Sequence, residues 1–269
     1  MSGKTLITGA TGGIGSAVTR SLAARGYDLV LACRNTSKAE ALRQQILAEH
    51  PQARLELRPL DLTSLASVRR FAASFGPGQV SALFNNAGVI SRGYALTGDG
   101  FENTFSINYF SPFLLTRLLL PCMEPDARVV NMVSLTCRFV RVDERALLPA
   151  EKDFSQLGTY ARSKRALLLS SLELARRHPE LRVNLADPGI VNSGIITMGR
   201  WFDPLADVLF RPLIKSPEQG AVPPLSALAS EERDRYFVGK RSAAIPDRYR
   251  DPALQRRLWD ETERLLSIQ

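Results

Sequence analysis

Histidine is almost absent from this sequence, which contains only His50 and His178 among its 269 residues. Each ends a helical pattern and is followed by proline, a placement typical of last-turn residues that complement the helix dipole. A Ser-His-Asp hydrolase or a histidine-ligated metal enzyme would therefore have almost nothing from which to build its site. We predict no metal site.

Cysteine is also scarce, and the sequence has no long apolar run. The three cysteines, Cys33, Cys122 and Cys137, are odd in number and show no CxxC spacing, which argues against a disulfide framework or a zinc knuckle. No apolar run reaches membrane-spanning length, and Met1 leads almost directly into an apolar strand without a signal peptide. We therefore expect a cytoplasmic protein without a transmembrane anchor.

The chain is basic, with a net charge of +8 and an isoelectric point of about 9.7. Its lysines and arginines are scattered and mixed with acidic residues, whereas nucleic-acid binding favours a basic stripe with interleaved aromatic residues. We therefore expect no nucleic-acid partner. A cofactor that carries phosphate groups is the better candidate for an anionic ligand.

Apolar strand patterns alternate with helical patterns along the whole chain. This alternation predicts an α/β fold: a doubly wound (Rossmann) parallel sheet of about seven strands with helices on both faces. One long helix is expected from about residue 100 to 120. Without an internal repeat or a linker, residues 1–269 are predicted to form a single domain. The predicted strands are Thr5–Thr8, Asp28–Cys33, Arg54–Arg58, Val80–Phe84, Arg128–Val133, Leu181–Leu185 and Arg235–Val238.

A glycine-rich segment, "TGATGGIG", joins the first predicted strand to the first predicted helix. Gly9, Gly13 and Gly15 permit a tight turn and a close approach of backbone N–H groups to a pyrophosphate, which the helix N-terminus also attracts. A generic glycine turn is the alternative. The strand–turn–helix context favours nucleotide binding.

The end of the second strand indicates which dinucleotide binds. A carboxylate at this place usually holds the ribose 2′-hydroxyl of NAD, but here Cys33 and Arg34 follow one another. A guanidinium can bind a 2′-phosphate bidentately. We therefore predict NADP(H) in preference to NAD(H), although Arg34 could also be only a solvated residue at the strand end.

Two tyrosines precede a lysine by four residues, Tyr160–Lys164 and Tyr236–Lys240. An enzyme that transfers hydride to a ketone needs a proton donor, and a nearby ammonium group would lower the pKa of a tyrosine. Positions four apart share one helix face, whereas along a strand they are about 13 Å apart. The first pair lies in a helical pattern and the second in a strand pattern. We therefore expect Tyr160 and Lys164 to act, and Tyr236 to be a tyrosine at the edge of the core.

Further motifs appear in order: "LFNNAG", "SINYF" with Asn108, "VVNMVS" ending at Ser134, and "DPGIVNS". With the glycine segment and the helical Tyr–Lys pair, the chain resembles the short-chain dehydrogenase/reductase family over nearly its whole length. "LVLACRN" and "KSPEQGA" are similar to its retinol-dehydrogenase-like branch.

The resemblance implies roles for individual residues. Tyr160 would be the general acid or base, Lys164 would lower its pKa and hold the nicotinamide ribose, Ser134 would bind the substrate oxygen, and Asn108 would position a water. The same resemblance places the cofactor against the glycine turn, the end of the second strand and the later motifs. The implied cofactor-binding residues are Gly9, Thr11, Gly13, Ile14, Gly15, Arg34, Asp61, Leu62, Asn85, Ala87, Gly88, Tyr160, Lys164, Pro188 and Ser193.

The predicted function is an NADP(H)-dependent oxidoreductase acting on a lipophilic ketone, aldehyde or alcohol, such as a retinoid or steroid. A non-catalytic dinucleotide-binding redox sensor is the alternative, although a sensor would not need a proton donor. Residues 194–215 are predicted to form a substrate lid; a packed core segment and a patch for peripheral membrane contact are the alternatives. The direction of the reaction stays open, as does assembly into a homodimer or homotetramer.

Overall fold

One eight-stranded sheet organises the part of the chain that the computed structural model describes, residues 3–191 and 215–268. The strand order is β3-β2-β1-β4-β5-β6-β7-β8, and every neighbouring pair is parallel except β7 and β8. The order reverses between β1 and β4, where open α/β sheets bind their ligands. The strands are β1 Lys4–Thr8, β2 Asp28–Cys33, β3 Arg54–Pro59, β4 Val80–Asn85, β5 Met123–Met132, β6 Arg182–Asp187, β7 Arg235–Val238 and β8 Arg241–Ala244.

Strand β8 is one strand more than the sequence predicted. Its four residues, "RSAA", carry no buried side chain, so no apolar pattern marks it. Gly239, with φ +62°, makes the turn that brings β8 back against β7. Elsewhere the predicted parallel, doubly wound sheet is confirmed.

Helices cover both faces of the sheet. The first face packs α3, α5, α6 and α8 into one apolar core, and the second packs α1, α2 and α7 into another. This layering is what near-continuous apolar strands demand, because both faces of each strand must be buried. The helices are α1 Gly13–Ala23, α2 Thr36–Glu49, α3 Leu65–Ala72, α4 Asn103–Phe105, α5 Ser111–Leu119, α6 Gln156–Arg177, α7 Pro217–Ala229 and α8 Pro252–Leu265.

The single helix predicted for residues 100–120 is interrupted. A π-helical turn, Ser106–Phe110, separates α4 from α5, and the N–H of Ser111 bonds the carbonyl of Ser106 five residues earlier. Such turns are rare and are frequently found at functional sites. This one contains Asn108, which has no exposed surface.

Helix α6 is held in place by buried polar contacts as well as by apolar packing. The hydroxyl of Tyr109 is 2.8 Å from Ser170 Oγ on α6 and 2.6 Å from Thr262 Oγ1 on α8. The ring of Trp259 on α8 packs edge-on against Phe113, with 4.6 Å between centroids. These contacts fix the helix that carries the predicted tyrosine and lysine.

None of the described helices combines the length and apolar character needed to cross a membrane. Likewise, residues 3–191 and 215–268 contain no group of three or more histidine, cysteine, aspartate or glutamate side chains arranged to hold a metal ion.

Candidate active site

The glycine turn between β1 and α1 requires glycine at two positions. Gly9 has φ +64°, and a Cβ atom placed there would lie 2.9 Å from Cα of Ala87. A Cβ atom on Gly15 would lie 2.2 Å from the carbonyl oxygen of Gly9. Asn86 donates from Nδ2 to the carbonyls of Thr8, at 2.9 Å, and of Gly9, at 3.3 Å. The turn is therefore clamped against the end of β4, with the N-terminus of α1 open beside it.

A cleft of about 440 Å³ lies over this turn, at the carboxyl ends of β1 to β4. Its position at the reversal of strand order, and its lining by the N-terminus of α1, suit the phosphates of a dinucleotide. Most of the predicted cofactor-binding residues line it together: Gly9, Thr11, Gly13, Ile14, Gly15, Arg34, Asp61, Leu62, Ala87 and Gly88.

The basic side of the cleft follows β2. The Cys33 thiol is buried, which raises its pKa, and hydrogen bonds from the Thr11 and Ala10 backbone partly oppose that rise. Arg34 and Lys38 are exposed and line the cleft. Asn35 caps α2 by accepting from the N–H of Lys38 at 2.8 Å. Lys38 was not predicted from the sequence as a residue of the cleft. Asn35 is a typical N-cap residue, and it could have indicated that Lys38 lies in the first turn of α2, near Arg34.

Asp61 lines the cleft and also shapes the loop after β3. Its Oδ1 atom accepts from the N–H of Thr63 at 2.9 Å and from the Thr63 hydroxyl at 2.8 Å. Asp61 therefore bonds the turn that follows β3 and also borders the cleft.

The prediction that the side chain of Asn85 lines the cofactor site is corrected by its contacts. Its side chain donates to Thr116 Oγ1 at 3.0 Å and to Asn131 Oδ1 at 2.8 Å, inside the core between β4, β5 and α5. It does not line the cleft, because alternate residues of a strand point to opposite faces. The neighbouring Asn86 lines the cleft instead.

The four predicted catalytic side chains come from three separate elements. Ser134 follows β5, Tyr160 and Lys164 lie on α6, and Asn108 lies in the π-helical turn. Ser134 lies near enough to Tyr160 to oppose, in part, the rise that burial causes in the pKa of the phenol, and Ser134 Oγ accepts from Thr136 Oγ1 at 3.0 Å. A proton donor and a second hydroxyl group are thus presented side by side.

Asn108 is tied to both the cleft and α6. Its Oδ1 accepts from the N–H of Val89 at 2.8 Å, and its Nδ2 donates to the carbonyl of Val89 and to Ser163 Oγ, at 2.9 and 3.1 Å. A Cβ atom on Gly88 would lie 3.4 Å from both Asn108 Oδ1 and Lys164 Nζ. Asn108 and Lys164 therefore converge on the backbone after β4. Ser163, which links Asn108 to the carbonyl of Tyr160, was not predicted.

The electrostatics of Tyr160 and Lys164 differ from the prediction. Burial raises the pKa of Tyr160 to about 12, although the Ser134 hydrogen bond opposes this. Burial lowers the pKa of Lys164 to about 8, and its Nζ donates to the carbonyl of Met132 at 2.8 Å. Lys164 is not among the groups that shift the pKa of Tyr160 in this structure, where burial dominates, so the lowering expected from the ammonium group stays a prediction.

Tyr236 and Lys240 do not form a second pair of this kind. Tyr236 lies on β7 and donates its hydroxyl to Asp187 Oδ2 at 2.8 Å, while Lys240 is exposed in the following turn. The interpretation of Tyr236 as a tyrosine at the edge of the core agrees with this placement. Its bond to Asp187 was not predicted.

The loop after β6 borders the same edge of the sheet. The carbonyl of Pro188 accepts from Lys215 Nζ at 3.1 Å, and Val191 forms an isolated bridge with Lys215. The predicted contact Ser193 and the predicted lid, residues 194–215, lie outside the described residues except for Lys215.

The site is the kind found in enzymes that bind a dinucleotide and move a proton during hydride transfer. The turn leaves no room for a Cβ atom at Gly9 or Gly15, because each would collide with neighbouring backbone, and both glycines line the cleft. A phenol held against a serine hydroxyl lies at the same edge of the sheet.

Comparison with known proteins defines the class further. Residues 4–199 match the family model of the short chain dehydrogenases. Human (Homo sapiens) retinol dehydrogenase 13 is 35% identical over 283 residues, covering 99% of this chain and 86% of that protein. Mouse (Mus musculus) polyprenol dehydrogenase is 37% identical over 277 residues, covering 97% and 82%. A crystal structure of an uncharacterised Mycobacterium paratuberculosis protein is 31% identical, with a TM-score of 0.78 over 99% of this chain and 94% of that one.

These similarities identify an oxidoreductase that acts on CH–OH or C=O groups with a nicotinamide dinucleotide. The chain belongs to the short-chain dehydrogenase/reductase family and is similar to its retinol dehydrogenases.

Proposed function

We propose that this protein is an NADP(H)-dependent oxidoreductase that interconverts a lipophilic ketone or aldehyde and its alcohol. The observation that carries the proposal is the placement of Ser134 beside the Tyr160 phenol, together with buried Lys164 and Asn108 and a glycine-lined cleft. A redox sensor on this fold would not need that arrangement, so we prefer an enzyme to a sensor.

Each side chain has a defined task in this proposal. Tyr160 donates a proton to the forming alkoxide in reduction and removes it in oxidation. Ser134 holds the substrate oxygen beside the Tyr160 hydroxyl, and Asn108 keeps the backbone at Val89 in place through two hydrogen bonds. When bound, the nicotinamide supplies or takes up the hydride.

Lys164 has two tasks that follow from its burial. Its ammonium group is desolvated and bonded to the carbonyl of Met132, next to Gly88 at the border of the cleft. From there it would hold the hydroxyls of a bound ribose. With the cofactor in place, it would also favour the Tyr160 phenolate, which the polypeptide alone disfavours.

NADP(H) is preferred in this proposal because of charge at the β2 end of the cleft. Arg34 and Lys38 are both cationic and exposed, and Cys33 stands where a carboxylate would repel a 2′-phosphate. Two cations four residues apart, at the start of α2, can approach one phosphate group together. NAD(H) lacks the 2′-phosphate that these two cations would bind.

The substrate is proposed to be lipophilic for two reasons. Apolar side chains remain accessible on the segment after Ser134, where Leu135 is partly exposed and Phe139 is 74% exposed. In addition, the relatives compared above are named for retinol and polyprenol, alcohols attached to long hydrocarbon chains. Apolar contacts of this kind would favour such substrates by removing their surface from water.

The direct test is a panel of retinoid, steroid and small aromatic carbonyls, each followed by NADPH absorbance with NADH in parallel. We expect turnover of several lipophilic carbonyls with NADPH. Tyr160→Phe should abolish turnover, and Tyr27→Phe, which removes a phenol hydroxyl at the opposite edge of the sheet, should keep it. Cofactor binding without turnover of any compound would favour the sensor.

A further inference from the structure

The loop after β6, residues 188–191, is held by a lysine that the catalytic scheme above does not use. The Nζ atom of Lys215 donates to the carbonyl of Pro188 at 3.1 Å. The backbone N–H of Lys215 donates to the carbonyl of Ile190 at 2.8 Å, and Lys215 pairs with Val191 in an isolated parallel bridge. One residue therefore holds this loop through both its ammonium group and its backbone.

The side chain of Lys215 also lies directly against Gly189. Gly189 has φ +73°, a conformation that favours glycine, and a Cβ atom there would lie 3.0 Å from Lys215 Nζ and 3.5 Å from Lys215 Cε. From the strand side, the N–H of Gly189 donates to Asp187 Oδ1 at 2.9 Å. The loop is therefore fixed from two sides, by the end of β6 and by the stem of Lys215.

This loop is packed against the start of α1. A Cβ atom on Gly220 of α7 would lie 2.8 Å from Val191 Cγ2 and 3.2 Å from Ile14 Cγ1. The side chains of Val191 and Ile14 thus meet at the same point of α7. Because Ile14 belongs to the glycine turn and lines the cleft, the loop that Lys215 holds borders the cleft at its β6 side.

The order of the strands indicates which half of a dinucleotide the loop would meet. Arg34 and Asp61, which line the adenosine end of the proposed site, follow β2 and β3, on one side of the glycine turn. On the other side of the turn lie β4, β5 and β6. A dinucleotide with its diphosphate at the turn would extend its second nucleoside toward Ser134 and residues 188–191. That second nucleoside carries the nicotinamide.

We propose that Lys215 is a positioning residue that fixes residues 188–191 beside the nicotinamide half of the bound dinucleotide. This inference rests on the proposed function and adds to it a residue outside the predicted catalytic and cofactor-binding sets. A loop that is already held in its bound conformation loses less freedom when the ligand binds, so binding is stronger. The ammonium group makes the hold effective, because hydrogen bonds to charged groups are stronger than those between neutral groups.

The test compares whole cofactors with fragments that lack the nicotinamide half. Calorimetry gives dissociation constants for NADPH and 2′,5′-ADP, and for NADH and ADP in parallel, so that the result does not depend on the cofactor preference. Lys215→Met keeps an unbranched stem over Gly189 and removes the ammonium group. We expect this variant to weaken the binding of the whole cofactors by about tenfold and to leave the binding of both fragments unchanged.

Two further variants separate positioning from a merely structural role. Lys215→Arg, which keeps a cationic donor for the Pro188 carbonyl, should recover most of the lost affinity. Lys240→Met, which removes an exposed lysine in the turn after β7, should bind all four ligands as the wild type does.

Three outcomes would overturn the proposal: equal weakening of cofactors and fragments in Lys215→Met, which would show loosened packing, unchanged cofactor binding in that variant, or the same loss in Lys215→Arg. If Lys215→Met does not fold, Lys215→Ala carries the same measurement. Because these titrations need no substrate, an absence of turnover with every carbonyl would count against the proposed function alone.

Discussion

The Nζ atom of Lys164 donates a hydrogen bond to the backbone carbonyl of Met132 at 2.8 Å, with almost no part of the side chain in contact with water. Burying an ammonium group against a neutral acceptor disfavours its charged form. Lys164, which its spacing from Tyr160 predicts to assist catalysis, therefore also destabilises the fold.

This cost predicts a pH dependence of stability. The pKa of Lys164 is lowered from 10.5 to about 8 by burial, so its contribution to the free energy of unfolding is most favourable above pH 10.5 and is lost as pH falls to about 8. The total change is at most about 3 kcal/mol. Urea unfolding of the wild type and of Lys164→Met should diverge in that range, with the variant gaining relative stability toward pH 8. Parallel curves across the range would contradict a buried, titrating Lys164.

Removing the Tyr160 hydroxyl should eliminate turnover while leaving cofactor binding largely intact. Tyr160→Phe loses the proton donor but keeps the ring, so we expect activity to fall by about two to four orders of magnitude. Initial rates with NADPH and dissociation constants from NADPH fluorescence measure the two effects. Tyr27→Phe is the matched control, and equal activity losses in the two variants would remove Tyr160 from the mechanism.

The cations after β2 should set the cofactor preference. Arg34→Ala and Lys38→Ala are each expected to weaken NADPH binding by about tenfold, the range for an exposed charged hydrogen bond, and to change NADH binding less. Arg43→Ala, on the same helix but paired with Glu40, serves as the control. Titration of both cofactors against all four proteins measures this, and NADH binding as tightly as NADPH to the wild type would refute the preference.

The glycine turn should tolerate no side chain at Gly15. A Cβ atom there would lie 2.2 Å from the carbonyl of Gly9 and 2.8 Å from Asn86 Nδ2, so Gly15→Ala must displace backbone at the cleft. We expect loss of dinucleotide binding and destabilisation of about 1–3 kcal/mol. At Gly98, where nothing lies within 4 Å of an added Cβ, alanine should leave both properties unchanged. Calorimetry of the two variants decides between these outcomes, and normal cofactor binding by Gly15→Ala would contradict the turn geometry.

Much of the architecture could be predicted because it is encoded over short distances in the chain. The apolar periods of β1 to β7 and of the helices depend on nearest neighbours, and the glycines of the first turn mark a backbone conformation directly. The spacing of Tyr160 and Lys164 predicted one helix face for the same reason, and α6 places both residues on it.

Other features depend on partners that are distant in the chain, and only the tertiary structure decided them. Strand β8 has no apolar pattern and exists because β7 offers an edge for pairing. The choice of Asn86 over Asn85 for the cleft depends on which side chain meets Thr116 and Asn131 in the core. The π-helical turn around Asn108 likewise interrupts a helix whose periodicity is continuous in the sequence.

The sequence by itself determined the family, the parallel sheet and the residue types of the site, because local periodicity and motif spacing carry that information. The tertiary structure alone decided how the pKa of Tyr160 is shifted, since the burial that raises it arises only when segments distant in the chain pack around α6. A pKa depends on the surroundings of a group in space, and those surroundings are assembled from segments far apart in the chain.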